Sequence, residues 1–236
     1  MSRAIAALIA LMVSACLAGL ASADTVEVNL SGLVNADLTT YTGGSSYPQN
    51  GGPLTVGSIN FMLATIGQNQ DTGIVQSSSA DSFDIPIDLS GVSSVDVLVN
   101  STMGSCGADI GEIQFVGSSE TFTYTLTEGS NVRDHYNGVY CNSAPNVSGT
   151  ANFGSDRLDM QSITLPPGFS GQTLESINFV GFGLGPAGSP FLAAATLVTT
   201  DASDPAAVPE PSCVLLVCGA GAAMIWIKRR SMAAGQ

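Results

Sequence analysis

Residues 121–127, with the sequence Thr-Phe-Thr-Tyr-Thr-Leu-Thr, carry an apolar side chain at every second position. Successive side chains of a β-strand point to opposite faces, so this segment has one apolar face and one threonine face when extended. An α-helix would spread the same apolar residues around its circumference instead of gathering them on one side. The segment therefore predicts a half-buried β-strand, and it sets the class of fold to look for elsewhere.

The same alternation recurs along residues 24–200, between short clusters of Gly, Ser, Asn and Pro. No apolar stripe with helical spacing reaches a useful length in this region. Further strand candidates lie at 26–30, 83–89, 95–99, 158–165, 174–182 and 191–198. About eight to eleven short strands separated by turn signals predict an all-β domain, folded as an antiparallel β-sandwich.

The charge of the chain excludes one class of partner. The formal net charge is −13, and residues 24–207 contain eighteen Asp and Glu side chains, only two arginines, Arg133 and Arg157, and no lysine. Phosphate backbones and anionic lipid headgroups both require a cationic surface. We therefore expect no nucleic-acid partner, and no attachment of the folded region to an anionic membrane.

Residues 1–23 have the organisation of a signal peptide. Arg3 precedes an apolar run at 4–13, and a triplet of small residues ends at Ala23, so we expect cleavage between Ala23 and Asp24. Two alternatives stay open, an uncleaved anchoring helix and lipidation of Cys16, because the four residues ending at Cys16 are similar to a lipobox. The sequence stays apolar after this cysteine, which favours the cleaved leader.

The C-terminal region has three parts after a small, polar linker at 201–207. Pro209-Glu210-Pro211 comes first, an apolar stretch without charge covers 213–227, and Lys228-Arg229-Arg230 follows. As a helix the apolar stretch would extend about 22–24 Å, slightly short of a full membrane span. The basic cluster would keep the C-terminus cytoplasmic. We expect a hydrophobic helix over 213–227 that inserts transiently into the inner membrane.

This order of triplet, apolar span and basic cluster, over residues 208–231, resembles the PEP-CTERM sorting signal of exported proteins in Gram-negative and related bacteria. The resemblance implies recognition by an exosortase, a membrane protease-transpeptidase that removes the tail. It also implies that the protein resides at the cell surface or in an exopolysaccharide matrix. A generic tail anchor is the alternative, and it leaves the Pro-Glu-Pro triplet unexplained.

The region between the two ends carries a less specific resemblance. The run Phe-Asp-Ile-Pro-Ile-Asp-Leu-Ser-Gly at 83–91 precedes a Val-rich strand, a Leu-Pro-Pro step lies at 165–167, and a final apolar strand begins at 191. Over residues 58–198 this pattern resembles the galactose-binding-like jelly rolls of secreted carbohydrate-associated proteins. That resemblance implies a jelly-roll-like sandwich and permits sugar binding, but it transfers no motif residue.

Two cysteines, Cys106 and Cys141, lie in the predicted sandwich. A pair of cysteines in an oxidising compartment tends to form a disulfide, and two free thiols are the alternative. The cysteine and histidine spacing matches no zinc or haem motif, so we expect no cofactor. Calcium suits an acidic exported protein, but no Asp-x-Asp-x-Asp run supports it and the metal remains unknown. The acidic residues that could be guessed as its ligands are Asp84, Asp88, Asp134 and Asp156.

The densest group of polar residues lies at 131–137, which includes the one histidine of the chain. Arginine offers a planar fork of donors and an aromatic ring offers a flat apolar face, and both suit a sugar or a carboxylate. The candidate ligand-binding residues are therefore Arg133, Asp134, His135, Tyr136 and Tyr140. The alternative is structural: Arg133 pairs with a nearby carboxylate, namely Asp134, Asp156 or Asp159, and holds the Cys141 loop.

Three functions follow from these features. We favour a non-catalytic surface or matrix protein, and the alternative is a carbohydrate-binding module for exopolysaccharide that uses residues 133–140. A secreted hydrolase is third, because the chain has no Gly-x-Ser-x-Gly motif and the predicted sandwich has no tryptophan. Paired carboxylates for glycoside cleavage remain open. We therefore expect that the protein is not an enzyme.

Overall fold

The computed structural model describes residues 23–200, apart from 44–45, 78, 139 and 184–187. Residues 1–22 of the predicted signal peptide, with Cys16, lie outside the described residues, and so do the linker and the sorting tail from residue 201 onward. Within the described ranges, no helix has the length and apolar character needed to cross a bilayer.

The fold is all-β, as predicted. The described residues form fourteen strands: β1 (Asp24–Glu27), β2 (Ala36–Asp37), β3 (Gly52–Val56), β4 (Ile59–Leu63), β5 (Thr65–Ile66), β6 (Asp71–Gln76), β7 (Ser82–Ser90), β8 (Val92–Thr102), β9 (Asp109–Gly117), β10 (Thr121–Thr127), β11 (Gly149–Phe153), β12 (Asp156–Thr164), β13 (Thr173–Gly181) and β14 (Ser189–Thr199). Among these residues there is also one short helix, α1 (Leu38–Thr42), and a 3-10 helix (Pro167–Gly171). The strands outnumber our expectation partly because β2 and β5 are two-residue pairings beside β6.

The strands pair into two main antiparallel sheets. The larger sheet has the order β11-β12-β8-β14-β6-β2, with β1 also beside β14 and β5 beside β6. The smaller sheet has the order β10-β9-β13-β7. Strands β3 and β4 form a separate antiparallel hairpin. From β6 to β9 the chain alternates between the two main sheets, so neighbours in the sequence lie on opposite sides of the core.

Apolar side chains from both sheets fill the space between them. Val97 of β8, Phe115 of β9 and Phe179 of β13 belong to one cluster, and none of them is exposed. The alternation that predicted β8 and β13 therefore has its expected cause, because one side of each strand faces this core. Two antiparallel sheets around a shared apolar core are consistent with a β-sandwich.

The larger sheet is also covered on its other face. Phe61 of the β3–β4 hairpin and Leu38 of α1 join a second apolar cluster with Leu98 and Phe191 of the larger sheet. Burial on both faces explains why β14 is almost continuously apolar instead of alternating. Pro53 lies within β3, although proline and glycine are more typical of turns. A two-stranded hairpin has free edges, where the missing N–H of proline is tolerated.

Candidate functional site

The predicted site segment forms a loop that is fastened at both ends. We call residues 134–142 the tyrosine loop; residue 139 is not described. The Asp134 amide donates to the Cys141 carbonyl over 3.1 Å and closes the loop on itself. The predicted disulfide between Cys106 and Cys141 is confirmed, and it joins the loop to the turn that follows β8.

Arg133, just before the loop, pairs with Asp159 of β12. Its Nε donates to Oδ2 over 2.7 Å and its Nη2 donates to Oδ1 over 2.9 Å, which is a two-pronged ion pair. Asp159 is fully buried and also accepts hydrogen bonds from Asn100 and from the Thr150 hydroxyl. The hydrogen bonds to Asp159 raise the pKa of Arg133. Of the pairings that the sequence left open, the structure contains the one with Asp159.

Arg157 lies inside the tyrosine loop. Its Nε and Nη2 both donate to the Asp134 carbonyl, over 3.1 and 2.8 Å, and Nη2 also donates to Asn142 Oδ1. Its Nη1 reaches Asn137 Oδ1 at 3.4 Å. Burial lowers the pKa of Arg157, and the positive charge of Arg133 lowers it further. The loop is thus wrapped around a guanidinium that satisfies several of its inward-facing oxygens.

The carboxylate of Asp134 holds two backbone segments together. Its Oδ2 accepts from the Met103 amide and its Oδ1 accepts from the Tyr136 amide, both over 2.7 Å. The residue is buried, and burial raises its pKa although the two amide hydrogen bonds favour the ionised form. Asp134 therefore ties the turn after β8 to the tyrosine loop.

Glu128 is a buried carboxyl group beneath the same turn. The Ser101 hydroxyl donates to its Oε1 over 2.8 Å, and its Oε2 has no partner among the described residues. A Cβ at Gly104 would lie 2.0 Å from this carboxyl group, so any larger residue there would have to displace the Glu128 side chain. Burial raises the pKa of Glu128 to about 7, and the charge of Asp134 acts in the same direction.

His135 is an interior residue of the loop. Its side chain is buried, with Nδ1 lying 3.1 Å from the Tyr47 hydroxyl and 3.8 Å from Asp156 Oδ1. Burial lowers the pKa of His135, and the charges of Asp134 and Asp156 oppose that shift. Burial also raises the pKa of Tyr47. The ring thus belongs to a packed polar interior, where burial favours its neutral form.

The two candidate tyrosines differ from the other candidates because they face solvent. Tyr136 is 42% exposed and Tyr140 is 45% exposed. The Tyr136 ring lies against the backbone of Gly138, where a Cβ would come within 2.1 Å of Cε1. The structure thus places four of the five candidates in the tyrosine loop and Arg133 directly before it. Asp134 and His135 are buried, Arg133 is half-buried, and the two tyrosines are exposed.

Several partners in this network were not among the residues predicted from the sequence. Asn100 was detectable in principle, because it is polar and directly follows the apolar run 97–99 in a buried strand. Glu128 and Tyr47 gave no such signal, since each lies in a stretch with ordinary turn composition. Their roles depend on contacts between distant segments, such as the 88-residue separation of Tyr47 and His135.

The ionisable groups beneath the loop are shielded from solvent. The Ser101 hydroxyl and the carboxyl groups of Glu128 and Asp134 are all buried, and most of their contacts are with each other or with the backbone. In the part of the chain that the structure describes, no three His, Cys, Asp or Glu side chains gather in a way that could hold a metal ion. Of the five candidate residues, the two tyrosines are the most exposed.

Comparisons with known proteins give only weak structural similarity. No protein-family model and no curated protein sequence matches the chain. Among solved structures, the chain is similar to part of the mosquito-larvicidal Cry4Aa toxin from Bacillus thuringiensis, with 8% identity and a TM-score of 0.32. The match covers 58% of this chain and 23% of the toxin chain. A similarity of this size supports no conclusion about fold or function.

Proposed function

We propose that this chain is an exported, non-catalytic protein of the bacterial cell surface or extracellular matrix, which an exosortase sorts and processes through its C-terminal tail. One observation carries the proposal: Pro209-Glu210-Pro211, the apolar stretch 213–227 and the basic cluster 228–230 follow one another in that order. The tail would insert transiently into the inner membrane, and the folded region would then be released to the outside.

The disulfide supports the exported location. Cys106 and Cys141 are bonded, and disulfides persist in oxidising compartments outside the cytoplasm. The signal-peptide pattern that ends at Ala23 supports the same route.

We further propose that the sandwich has the jelly-roll topology. Support comes from the strand order, in which β6, β8, β12 and β14 neighbour one another in the larger sheet while β7, β9, β10 and β13 form the smaller one. Jelly rolls distribute eight strands over two sheets in this interleaved manner.

The burial of the ionisable groups supports a non-catalytic role. Glu128, Asp134 and His135 have perturbed pKa values, which often mark active sites, but each is 5% exposed or less. A substrate in solvent would have to displace the loop to reach them.

Replacing Pro209, Glu210 and Pro211 together by alanine tests the sorting proposal. We expect an unprocessed species to accumulate in the membrane fraction, because the protease would lose its recognition triplet. Immunoblots of membrane and extracellular fractions, with an antibody against the folded region, would measure this. The control variant, Asp204→Ala with Pro205→Ala, changes the linker and should be processed as wild type. Normal removal of the tail in the triple-alanine variant would refute the assignment.

A second candidate function, binding of exopolysaccharide, is favoured by the exposure of Tyr136 and Tyr140 on a fixed loop.

A further inference from the structure

Large apolar side chains that face solvent are few among the described residues. Six of them are more than a third exposed: Val26, Met62, Met103, Tyr136, Tyr140 and Phe182. Most apolar surface in a folded protein is spread singly, so the informative feature is where several such residues come together.

Three of the six belong to segments that meet at Asp134. The amides of Met103 and Tyr136 bind the two oxygens of this one carboxylate, each over 2.7 Å. Tyr140 directly precedes Cys141, whose carbonyl accepts from the Asp134 amide. We call Met103, Tyr136 and Tyr140 the tyrosine patch. Its members come from two segments of the chain that are joined by hydrogen bonds and by the disulfide.

The backbone beneath the patch is held from several directions. Arg157 donates to the Asp134 carbonyl and to the side chains of Asn137 and Asn142. Arg133 donates to the Asn142 carbonyl over 3.1 Å, and the disulfide ties Cys141 to the neighbouring turn. A ligand that binds a fixed loop does not have to order it, so even a small aromatic surface can give measurable affinity.

The charges around the patch restrict the chemistry of the ligand. Residues 24–200 contain two arginines and no lysine. The Arg133 side chain is 19% exposed and the Arg157 side chain is 5% exposed, and both are engaged with Asp159. Carboxylated or sulfated ligands therefore find no free cation here, and they meet an acidic protein. An uncharged ligand pays no such electrostatic cost.

We propose that the tyrosine patch binds an uncharged polysaccharide, with the two tyrosine rings packing against the apolar faces of sugar rings. Tyrosine suits this task because it is large, rigid and amphipathic. Arg133, Asp134 and Arg157 act as positioning residues that fix the loop and do not contact the sugar. This inference rests on the proposed function in one respect: export to the cell surface brings the protein into contact with exopolysaccharide.

Affinity electrophoresis of the full chain, exported so that its disulfide forms, tests the proposal. Native gels would contain dextran, mannan or galactan as uncharged probes, and alginate or polygalacturonate as anionic probes. We expect retardation by at least one uncharged polysaccharide and none by the anionic pair. Added salt should leave the retardation unchanged, since no ion pair forms with the ligand.

Point variants locate the binding surface. Tyr136→Ala and Tyr140→Ala should each weaken binding about three- to tenfold, which is the range for loss of one aromatic contact. Tyr136→Phe and Tyr140→Phe keep the ring and should retain most of the affinity. Met62→Ala is the matched control, because Met62 is 42% exposed but belongs to β4 and not to the tyrosine loop. Unfolding midpoints of all variants would verify that the fold is intact.

Three results would overturn the proposal: no retardation by any uncharged probe, equal or stronger retardation by an anionic probe, or unchanged binding in both tyrosine-to-alanine variants. The assay uses purified protein and does not depend on tail processing. A failure of sorting in cells and a failure of binding in the gel are therefore separate outcomes.

Discussion

Two regions of this protein are equally buried but are held together in different ways. Between the sheets, residues such as Phe115 and Phe179 pack without any exposure, and their contacts are apolar and non-directional. Beneath the tyrosine loop, Asp159 is just as buried, but it is surrounded by two arginines, an asparagine and a hydroxyl group. In an apolar core, the stability lost on removing a side chain depends on how much is removed and how well the site repacks. A buried charge that loses its partner is strongly unfavourable.

The largest expected effect is that of Asp159→Ala. The change leaves the half-buried Arg133 and the buried Arg157 without their shared carboxylate, and we expect the free energy of unfolding to fall by about 3–5 kcal/mol. Urea denaturation followed by circular dichroism would measure the loss. Asp84→Ala removes an exposed carboxylate on β7 and should change stability by less than about 0.5 kcal/mol. If Asp159→Ala lowered the free energy of unfolding by less than about 1 kcal/mol, the hydrogen-bond network around Asp159 would contribute little to stability.

The disulfide should rank next. Replacing Cys106 and Cys141 by serine frees a loop with a sequence separation of 35, and chain entropy then predicts a loss of about 3–4 kcal/mol. Amide hydrogen exchange should show the increase concentrated in residues 103–107 and 134–142, with the smaller sheet protected. Chemical reduction of the wild-type protein is the control and should reproduce the variant. Uniformly faster exchange throughout both sheets would contradict a local role.

The pH dependence of stability tests the buried carboxyl group of Glu128. Burial raises the pKa of Glu128 to about 7 in the folded chain, above the ordinary value of 4.5, so the folded chain binds more protons than the unfolded chain between these pH values. Stability contributed by this group is therefore fully present below pH 4.5 and is lost as pH rises to about 7, by roughly 3 kcal/mol in total. The lowered pKa of His135 acts in the opposite sense, because its contribution is lost as pH falls below 6.5.

Glu128→Gln isolates the contribution of Glu128. The amide imitates the protonated acid, so the variant should match the wild type at low pH and be more stable above pH 7. Thermal or urea unfolding at a series of pH values would measure the difference between the two curves. Glu175→Gln changes an exposed carboxyl group on β13 and serves as the control. Parallel curves for wild type and Glu128→Gln would show that Glu128 is not the titrating group.

The smallest effect expected is the coupling between Arg133 and Asp159. Arg133→Met combined with Asp159→Ala should lose less stability than the sum of the single changes, by about 1–3 kcal/mol, because the double variant no longer buries the unpaired Arg133 charge. Denaturation of the four proteins in the cycle would give this coupling energy. Arg133→Met with Asp84→Ala should be additive. If the effects of Arg133→Met and Asp159→Ala on stability were additive, the charged region would not differ from the apolar core in the way described above.

The apolar region was largely predictable, because its signal is local. The alternation at 121–127 corresponds to β10, and the candidates at 83–89 and 174–182 differ from β7 and β13 by one residue at each end. The hairpin β3–β4 was missed, since its Gly-Pro start favours a turn and its apolar residues cover a second face of the larger sheet. Alternation in the sequence indicates that one face of a strand is buried. It does not indicate which element packs against the other face.

The charged region was predictable only in part. The sequence indicated that Arg133 and the loop of Cys141 are important. Under the structural interpretation, Asp159 was one of three carboxylates that could pair with Arg133. Choosing among them requires knowing that β12 lies beside β8, where Asn100 also reaches Asp159. The position of Arg157 likewise determines which candidate ligand-binding residues face solvent. The local sequence does not predict that position.

The engagement of both arginines by Asp159 has a practical consequence for proteolysis. Trypsin-like proteases cleave after lysine or arginine and require a segment that can open locally. Residues 24–200 contain no lysine, Arg157 is 4% exposed, and Arg133 is anchored by Asp159. The folded region should therefore resist such proteases as long as its loop stays closed. The absence of lysine also leaves amine-reactive labels without a side-chain target in this region.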